Sequence, residues 1–178
     1  MRQVIARKLD QIIRDIEDFP KPGISFKDIT PLLADPKMLS EVLEAFKNIL
    51  KPLKIDAIVG VESRGFLFGI LLANELKIPF IPVRKAGKLP AKTISEEYSL
   101  EYGTASIEIH ADALKQGWNV IIHDDLLATG GTAKATANLV QQLGANVSAF
   151  LFIIELSFLN GRKQLNTYCN DVISLVKY

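Results

Sequence analysis

The stretch that most restricts the architecture is residues 120–154. The run VIIH at 120–123 is rich in β-branched residues and reads as a buried strand, and 147–154 reads as a longer one. Between them, Ala133, Ala137, Val140 and Leu143 fall on one helical face within 131–143, and Gly144 stops that stripe. Strand, helix and strand in succession make a βαβ unit, in which two parallel strands are joined by a helix crossing one face of the sheet. The theme recurs upstream, with a strand at 57–61, a helix at 66–76 after it and a helix at 36–50 before it. The class is therefore α/β, a mainly parallel twisted sheet flanked by helices. Of the 178 residues, 48% are hydrophobic and they are spread along the whole chain without linker, repeat or low-complexity tract, so 1–178 reads as a single domain.

Charge and hydropathy exclude several functions. Lys and Arg number 21 against 20 Asp and Glu, a net charge of +1, which removes the electrostatic argument for a nucleic-acid binder. The longest apolar stretches, such as 66–73, fall well short of the roughly 20 residues a bilayer needs, so no membrane partner is expected. At the start, Ile5, Leu9, Ile12, Ile13 and Ile16 share one helical face, and intervening charges interrupt any signal-peptide core. A cytoplasmic protein is the expectation. The single cysteine, Cys169, excludes an intrachain disulfide framework and every multi-cysteine zinc pattern. Small-molecule chemistry is what remains.

Two regions break the alternation of strands and helices. Residues 18–31 (DFPKPGISFKDITP) carry three prolines and a glycine, which predicts an ordered irregular segment rather than a helix. Residues 86–103 are polar and charged, lie between an extended run at 78–83 and an alternating one at 106–110, and read as a long hairpin loop. Loops of that length are commonly lids or binding loops.

The chemistry concentrates at 120–132, VIIHDDLLATGGT, where a strand runs into Asp124 and Asp125 and then into Ala128, Thr129, Gly130, Gly131 and Thr132 at the mouth of a helix. Two glycines permit a tight turn with converging backbone N–H groups, and the helix start adds unpaired donors and partial positive charge. That arrangement suits a phosphate monoester, with Thr129 and Thr132 as further donors. Paired acids at the carboxyl end of a strand suit the hydroxyls of a sugar, or a magnesium ion held through water. Simple helix capping accounts for one threonine and leaves the acid pair unexplained. Neither G-x-x-x-x-G-K-[ST] nor G-x-G-x-x-G occurs.

An acid pair followed by ATGGT resembles the signature of the type I phosphoribosyltransferases, which bind 5-phosphoribosyl-1-pyrophosphate. Three further segments narrow the resemblance to the adenine-using members of that family: FPKPGISFKDITPLL at 19–33, VESRGFLFG at 61–69, and PVRKAGKLP at 82–90 with YSLEYG at 98–103. His123 departs from the pattern, which has an aliphatic residue there, and reads as a packing residue. The resemblance implies the type I phosphoribosyltransferase fold with a small hood segment at about 18–34 and a flexible lid loop at about 86–103. It also implies the reaction, a magnesium-dependent pentosyl transfer from phosphoribosyl pyrophosphate to adenine that yields AMP and pyrophosphate in purine salvage. Two alternatives stay open. One is a non-enzymatic sensor of phosphoribosyl pyrophosphate, which would need a nucleic-acid-binding module in the short stretch before Phe19. The other is a phosphoribosyltransferase for a different base.

Residue roles follow from the same resemblance. Ala128 to Thr132 would anchor the 5′-phosphate, and Asp124 with Asp125 the ribose hydroxyls. Ser63 and Arg64 would meet the pyrophosphate, joined by the basic cluster Arg84, Lys85 and Lys88, although Lys88 reads equally as a solvated loop residue. Phe26 and Leu126 would stack on adenine, while backbone groups of Ser25 and Lys27 read its amine and ring nitrogen. Glu101 would handle the proton at N7, with Tyr98 and Tyr102 excluding water from the site. Magnesium would be held mainly by substrate and water, with no direct protein ligand. The resemblance further implies a cis Glu62–Ser63 peptide and a homodimer in which Arg84 reaches the neighbouring subunit's pyrophosphate.

Overall fold

The structure, a computed structural model, describes residues 2–99 and 103–178. It divides into two compact units, Met1–Lys51 and Pro52–Tyr178. Among the described residues no helix is long and apolar enough to cross a membrane.

In the first unit, helix α1 (Arg2–Ile12) buries Ile5 and Leu9, one turn apart on the face expected from their spacing. The stripe does not continue as helix to Ile16. The chain leaves the helix after Ile12, and strand β1 (Arg14–Ile16) pairs antiparallel with β2 (Phe26–Asp28), Ile16 opposite Phe26. Ile13 is nonetheless buried, and its backbone N–H still closes the last turn on the Leu9 carbonyl at 2.8 Å. Residues 17–25 between these strands are irregular, as expected, but the rest of the proline-rich stretch is not: Phe26–Asp28 form β2, and a short helix begins at Thr30. In the irregular link the Phe19–Pro20 bond is cis, and Gly23 donates its N–H to Asp18 Oδ1 at 2.7 Å. After the short helix α2 (Thr30–Leu33), helix α3 (Pro36–Leu50) starts where its sequence requires. Asp35 accepts from the N–H groups of Lys37 and Met38 at 2.9 and 3.0 Å, and Pro36 takes a first-turn position that needs no N–H.

The second unit is built on a seven-stranded sheet. In chain order its elements are β3 (Ala57–Val61), α4 (Gly65–Leu76), β4 (Phe80–Lys85), β5 (Thr93–Ser99), β6 (Thr104–His110), β7 (Asn119–Leu127), α5 (Gly131–Gln142), β8 (Asn146–Glu155), a 3₁₀ turn (Ser157–Leu159), α6 (Arg162–Leu165) and β9 (Val172–Lys177). The strand order is β5-β6-β4-β3-β7-β8-β9, parallel from β4 to β9, with β6 and β5 added antiparallel at one edge. Every residue of β3 is buried, which is why its run is apolar throughout rather than alternating. From β3 the chain winds to β4 on one side, and from β7 to β8 on the other. Their boundary is the topological switch point, where the carboxyl ends of neighbouring strands open a crevice.

Two details differ from the expectation. Asp124 to Leu127 belong to β7 itself, with Asp124 opposite Phe152 and Leu126 opposite Ile154 on β8, so the acids stand on a paired strand. The segment at 86–103 is not wholly loop, because β5 runs through it in register with β6. Polar residues there disguise a strand whose Ile94 and Tyr98, two pleats apart, pack against the core.

Candidate active site

The loop after β3 and the end of β7 meet at the switch point, in a cleft of about 440 Å³. It is lined by Glu62, Ser63, Arg64, Lys85, Lys88, Asp124 and Asp125. Close approach of backbones makes this possible. A methyl group at Gly65 would lie 2.8 Å from the His123 carbonyl oxygen and 3.1 Å from Asp124 Cα, so only glycine lets α4 begin so near to β7. Arg64 then stands at the N-cap of α4, and its Nε lies 2.9 Å from Asp125 Oδ2. Asp125 answers the unfavourable placement of a cation at the positive end of a helix. The Arg64 side chain is 39% exposed and lines the cleft, whereas the Asp125 side chain is 3% exposed. The contact is an ion pair whose N–H is not aimed along the hydrogen-bond direction, and Asp125 Oδ2 has no hydrogen-bond partner among the described residues.

Loss of solvent, together with the adjacent Asp125 charge, pushes the Asp124 carboxyl well above the usual carboxylate range. Burial raises Asp125 as well, against the pull of Arg64. Both carboxyls therefore hold their protons more tightly than carboxyls in water, and the two titrate as a unit.

Beyond Asp124, a smaller cavity of about 80 Å³ is lined by the 126–133 segment and Phe152. Gly130 takes a left-handed conformation, φ 87°, and caps α5. A bend at 128–130 leads straight into that helix, which presents the first-turn N–H groups expected of an anion cradle. Ala128, Thr129, Gly130, Gly131, Thr132 and Leu126 all line it.

The structure thus gathers Ser63, Arg64, Lys85, Lys88, Asp124 and Asp125 at one cleft and the 128–132 loop at its neighbour, joined through Asp124. Arg84 does not line the cleft. Its guanidinium forks the Glu62 carboxylate, Nη2 to Oε1 at 2.9 Å and Nε to Oε2 at 3.2 Å, while Nη1 donates to the Lys88 carbonyl at 3.0 Å. The Arg84 hydrogen bonds hold the Glu62 carboxyl below the usual range, and Glu62 also accepts the Lys85 N–H at 3.0 Å. Tyr98 lies on β5 and, with Thr129 and Thr132, lines a further cavity of about 700 Å³. Ser25, Phe26 and Lys27 belong to the first unit, where Phe26 packs edge-to-face on Phe19 with ring centroids 5.2 Å apart and Lys27 pairs with Asp15. Glu101 and Tyr102 lie outside the described residues. The Glu62–Ser63 peptide is cis, as the resemblance implied.

Residues 28–172 match the phosphoribosyl transferase domain family. The adenine phosphoribosyltransferase of Cytophaga hutchinsonii is 50% identical over 176 residues, which is 99% of this chain and 97% of that protein. The chain belongs to the adenine phosphoribosyltransferase family. Solved members of this phosphoribosyltransferase family share its fold closely. The crystal structure of the Thermoanaerobacter pseudethanolicus enzyme superposes with a TM-score of 0.94 at 53% identity, covering 97% of this chain and 99% of that one. The Saccharomyces cerevisiae enzyme, solved with an imino-altritol bisphosphate and adenine, gives 0.91 at 43% identity, again over 97% and 99%.

Sequence reasoning missed three contributors. Glu62 carries no sequence signal, because an acid beside a basic motif gives no sign that it anchors an arginine 22 positions away. Gly161 and Gln164 were missed because nothing local ties them to the 128–132 loop, yet Gln164 Nε2 donates to the Thr129 carbonyl at 3.0 Å.

Proposed function

We propose that this chain transfers the 5-phosphoribosyl group of phosphoribosyl pyrophosphate to adenine, releasing pyrophosphate and forming AMP. The observation that carries the reading is the junction at Asp124. On one side lies a cleft walled by Ser63, Arg64, Lys85 and Lys88, which suits a pyrophosphate, and on the other a glycine-rich helix start, which suits a phosphate monoester. The sugar of one substrate spans the two. Asp124 and Asp125 then take the ribose hydroxyls, and binding at both ends aligns C1′ for displacement. Cleavage of a glycosidic bond at C1′ builds positive charge on the sugar, which the acid pair stabilises as Arg64, Lys85 and Lys88 take up the charge of the departing anion.

The base is assigned to Phe26, Leu126 and the backbone of Ser25 and Lys27 on the resemblance. A buried carbonyl acceptor favours a 6-amino group and repels a 6-oxo group, which sets adenine above hypoxanthine and guanine. Glu101 is assigned to N7, where a carboxylate stabilises the base as N9 loses its proton and attacks C1′. Tyr98 and Tyr102 are assigned to water exclusion over the sugar cation.

Magnesium fits this site as a companion of the substrate. Glu62, Asp124 and Asp125 line the cleft, and Arg84 occupies Glu62, which leaves the acid pair as the sparse donor set that a hydrated Mg²⁺ bound through phosphates accepts. When bound it supplies charge neutralisation to the leaving pyrophosphate. A cytoplasmic homodimer completes the reading. Helix α4 starts at the cleft and leaves Leu67 and Ile70 exposed, an apolar face suited to a second copy. That Arg84 serves the neighbouring site rests on the resemblance. The test is pyrophosphate release with phosphoribosyl pyrophosphate, magnesium and, in turn, adenine, hypoxanthine, guanine, orotate or no base. Adenine should be turned over fastest, and faster turnover of any other base overturns the assignment.

A further inference from the structure

The back of the 128–132 loop is not left to solvent. Residues 156–165, between β8 and the end of α6, lie against it backbone to backbone. A methyl group at Gly161 would sit 2.2 Å from the Ala128 carbonyl oxygen, 2.9 Å from the Thr129 carbonyl carbon and 3.0 Å from the Gly130 nitrogen. Conversely, a methyl at Gly130 would lie 2.8 Å from the Gly161 carbonyl oxygen. Gly161 itself adopts φ −56° and ψ −32°, a right-handed helical conformation in which alanine is at ease. Its lack of a side chain therefore serves the neighbouring loop and not its own turn.

The brace is tied down at both ends. Leu156 donates its N–H to the Leu127 carbonyl at 2.9 Å, just before the loop begins. Arg162, next to Gly161, forks the buried Glu155 carboxylate through Nε at 3.1 Å and Nη2 at 2.5 Å, and its Nη1 donates to the Val172 carbonyl. Ser174 adds a hydrogen bond to Glu155 at 2.6 Å, so the arginine is held by the sheet's last two strands. From α6, Gln164 Nε2 reaches the Thr129 carbonyl at 3.0 Å. That bond fixes which way the Thr129–Gly130 peptide faces, since a carbonyl held outward on the brace side turns the following N–H toward the cradle.

We infer that Gly161 and Gln164 are positioning residues for the 5′-phosphate, acting through the Ala128–Gly130 backbone without touching substrate. The inference rests on the reading of the 128–132 loop as the phosphate cradle. A donor array is effective only when its N–H groups stand where the anion will be, and displacements of well under an ångström weaken it.

The test uses the full chain with Gly161→Ala, Gln164→Met and Gln164→Glu. Gln164 is exposed, so its two variants leave the fold alone; methionine removes the donor at equal length, and glutamate replaces it with an acceptor. Steady-state kinetics give KM for each substrate and kcat, and calorimetry with ribose 5-phosphate reads the cradle independently of turnover. Gly161→Ala should raise KM for phosphoribosyl pyrophosphate and Kd for ribose 5-phosphate by about tenfold or more. Gln164→Met should raise both about threefold, and Gln164→Glu further, with KM for adenine within twofold of wild type throughout. Wild-type values for phosphoribosyl pyrophosphate and ribose 5-phosphate in a folded Gly161→Ala protein would overturn the role of Gly161. If that variant does not fold, the Gln164 pair decides, and equality of both with wild type overturns the inference. Wild-type protein that fails to bind ribose 5-phosphate at all would instead overturn the reading of the cradle.

Discussion

Replacing His123 by valine should flatten the pH dependence of stability on the acid side of neutrality. His123 is fully buried on β7, and its Nδ1 lies 2.9 Å from the Leu151 carbonyl, so that nitrogen carries the proton of a neutral ring. Burial drives its pKa down from 6.5 to about 4, only partly opposed by the bond to Leu151. Between these values the unfolded chain binds a proton that the folded chain refuses, so stability is intact above pH 6.5 and is lost as the pH falls toward 4. At roughly 1.4 kcal/mol per unit, the drop from 6.5 to pH 5 costs about 2 kcal/mol, and the loss levels off at about 3 kcal/mol below pH 4. Valine removes this dependence and adds a constant penalty of about 1–3 kcal/mol for the lost hydrogen bond and ring. The assay is denaturant unfolding of both proteins from pH 8 to pH 5 at one protein concentration, in which the titrations of Asp124, Asp125 and other carboxylates largely cancel in the difference. The gap between wild type and variant should narrow by about 2 kcal/mol toward pH 5. Parallel curves would refute the argument that His123 is held neutral.

Three further outcomes are expected. Arg64→Met should raise KM for phosphoribosyl pyrophosphate about 10- to 100-fold, the worth of one charge-assisted hydrogen bond, and in steady-state assays an unchanged KM would remove Arg64 from the pyrophosphate site. Glu101→Gln should lower kcat by about 10²- to 10⁴-fold with little change in KM for phosphoribosyl pyrophosphate, and wild-type turnover would make Glu101 a bystander. Mixing Arg84→Ala with Asp125→Ala subunits should restore activity toward roughly a quarter of wild type, because half of randomly mixed dimers are hybrid and each has one intact site. No recovery, with exchange shown by mass spectrometry, would mean that Arg84 does not act across the interface.

The elements most legible in the sequence are those whose signals are local. Pro36 at a first turn, Asp35 before it and an apolar stripe behind it give α3 its bounds, and the β-branched runs give β3 and β8. The acid pair and the ATGGT loop are legible because strand end, turn and helix start are contiguous in the sequence. What escaped detection depends on partners far along the chain. Ile16 of β1 continues the apolar stripe of α1, and only pairing with β2 draws the strand out of the helix. In β5, Ile94 and Tyr98 are separated by Ser95, Glu96 and Glu97, polar residues that an exposed loop would also carry. Arg84 reads as a free cation for an anion, yet its fork is filled by Glu62, a pairing set by how β4 runs beside β3. Gly161 looks like an ordinary turn glycine until the loop it faces is seen.

The most direct measurement of the central claim is a crystal structure of the chain with AMP and pyrophosphate. The AMP phosphate is expected on the backbone N–H groups of residues 129–132, the ribose hydroxyls on Asp124 and Asp125, and the pyrophosphate beside Ser63, Arg64 and Lys85. A phosphate of AMP bound away from the 128–132 loop, or a pyrophosphate outside the cleft that Arg64 and Asp125 share, would contradict it.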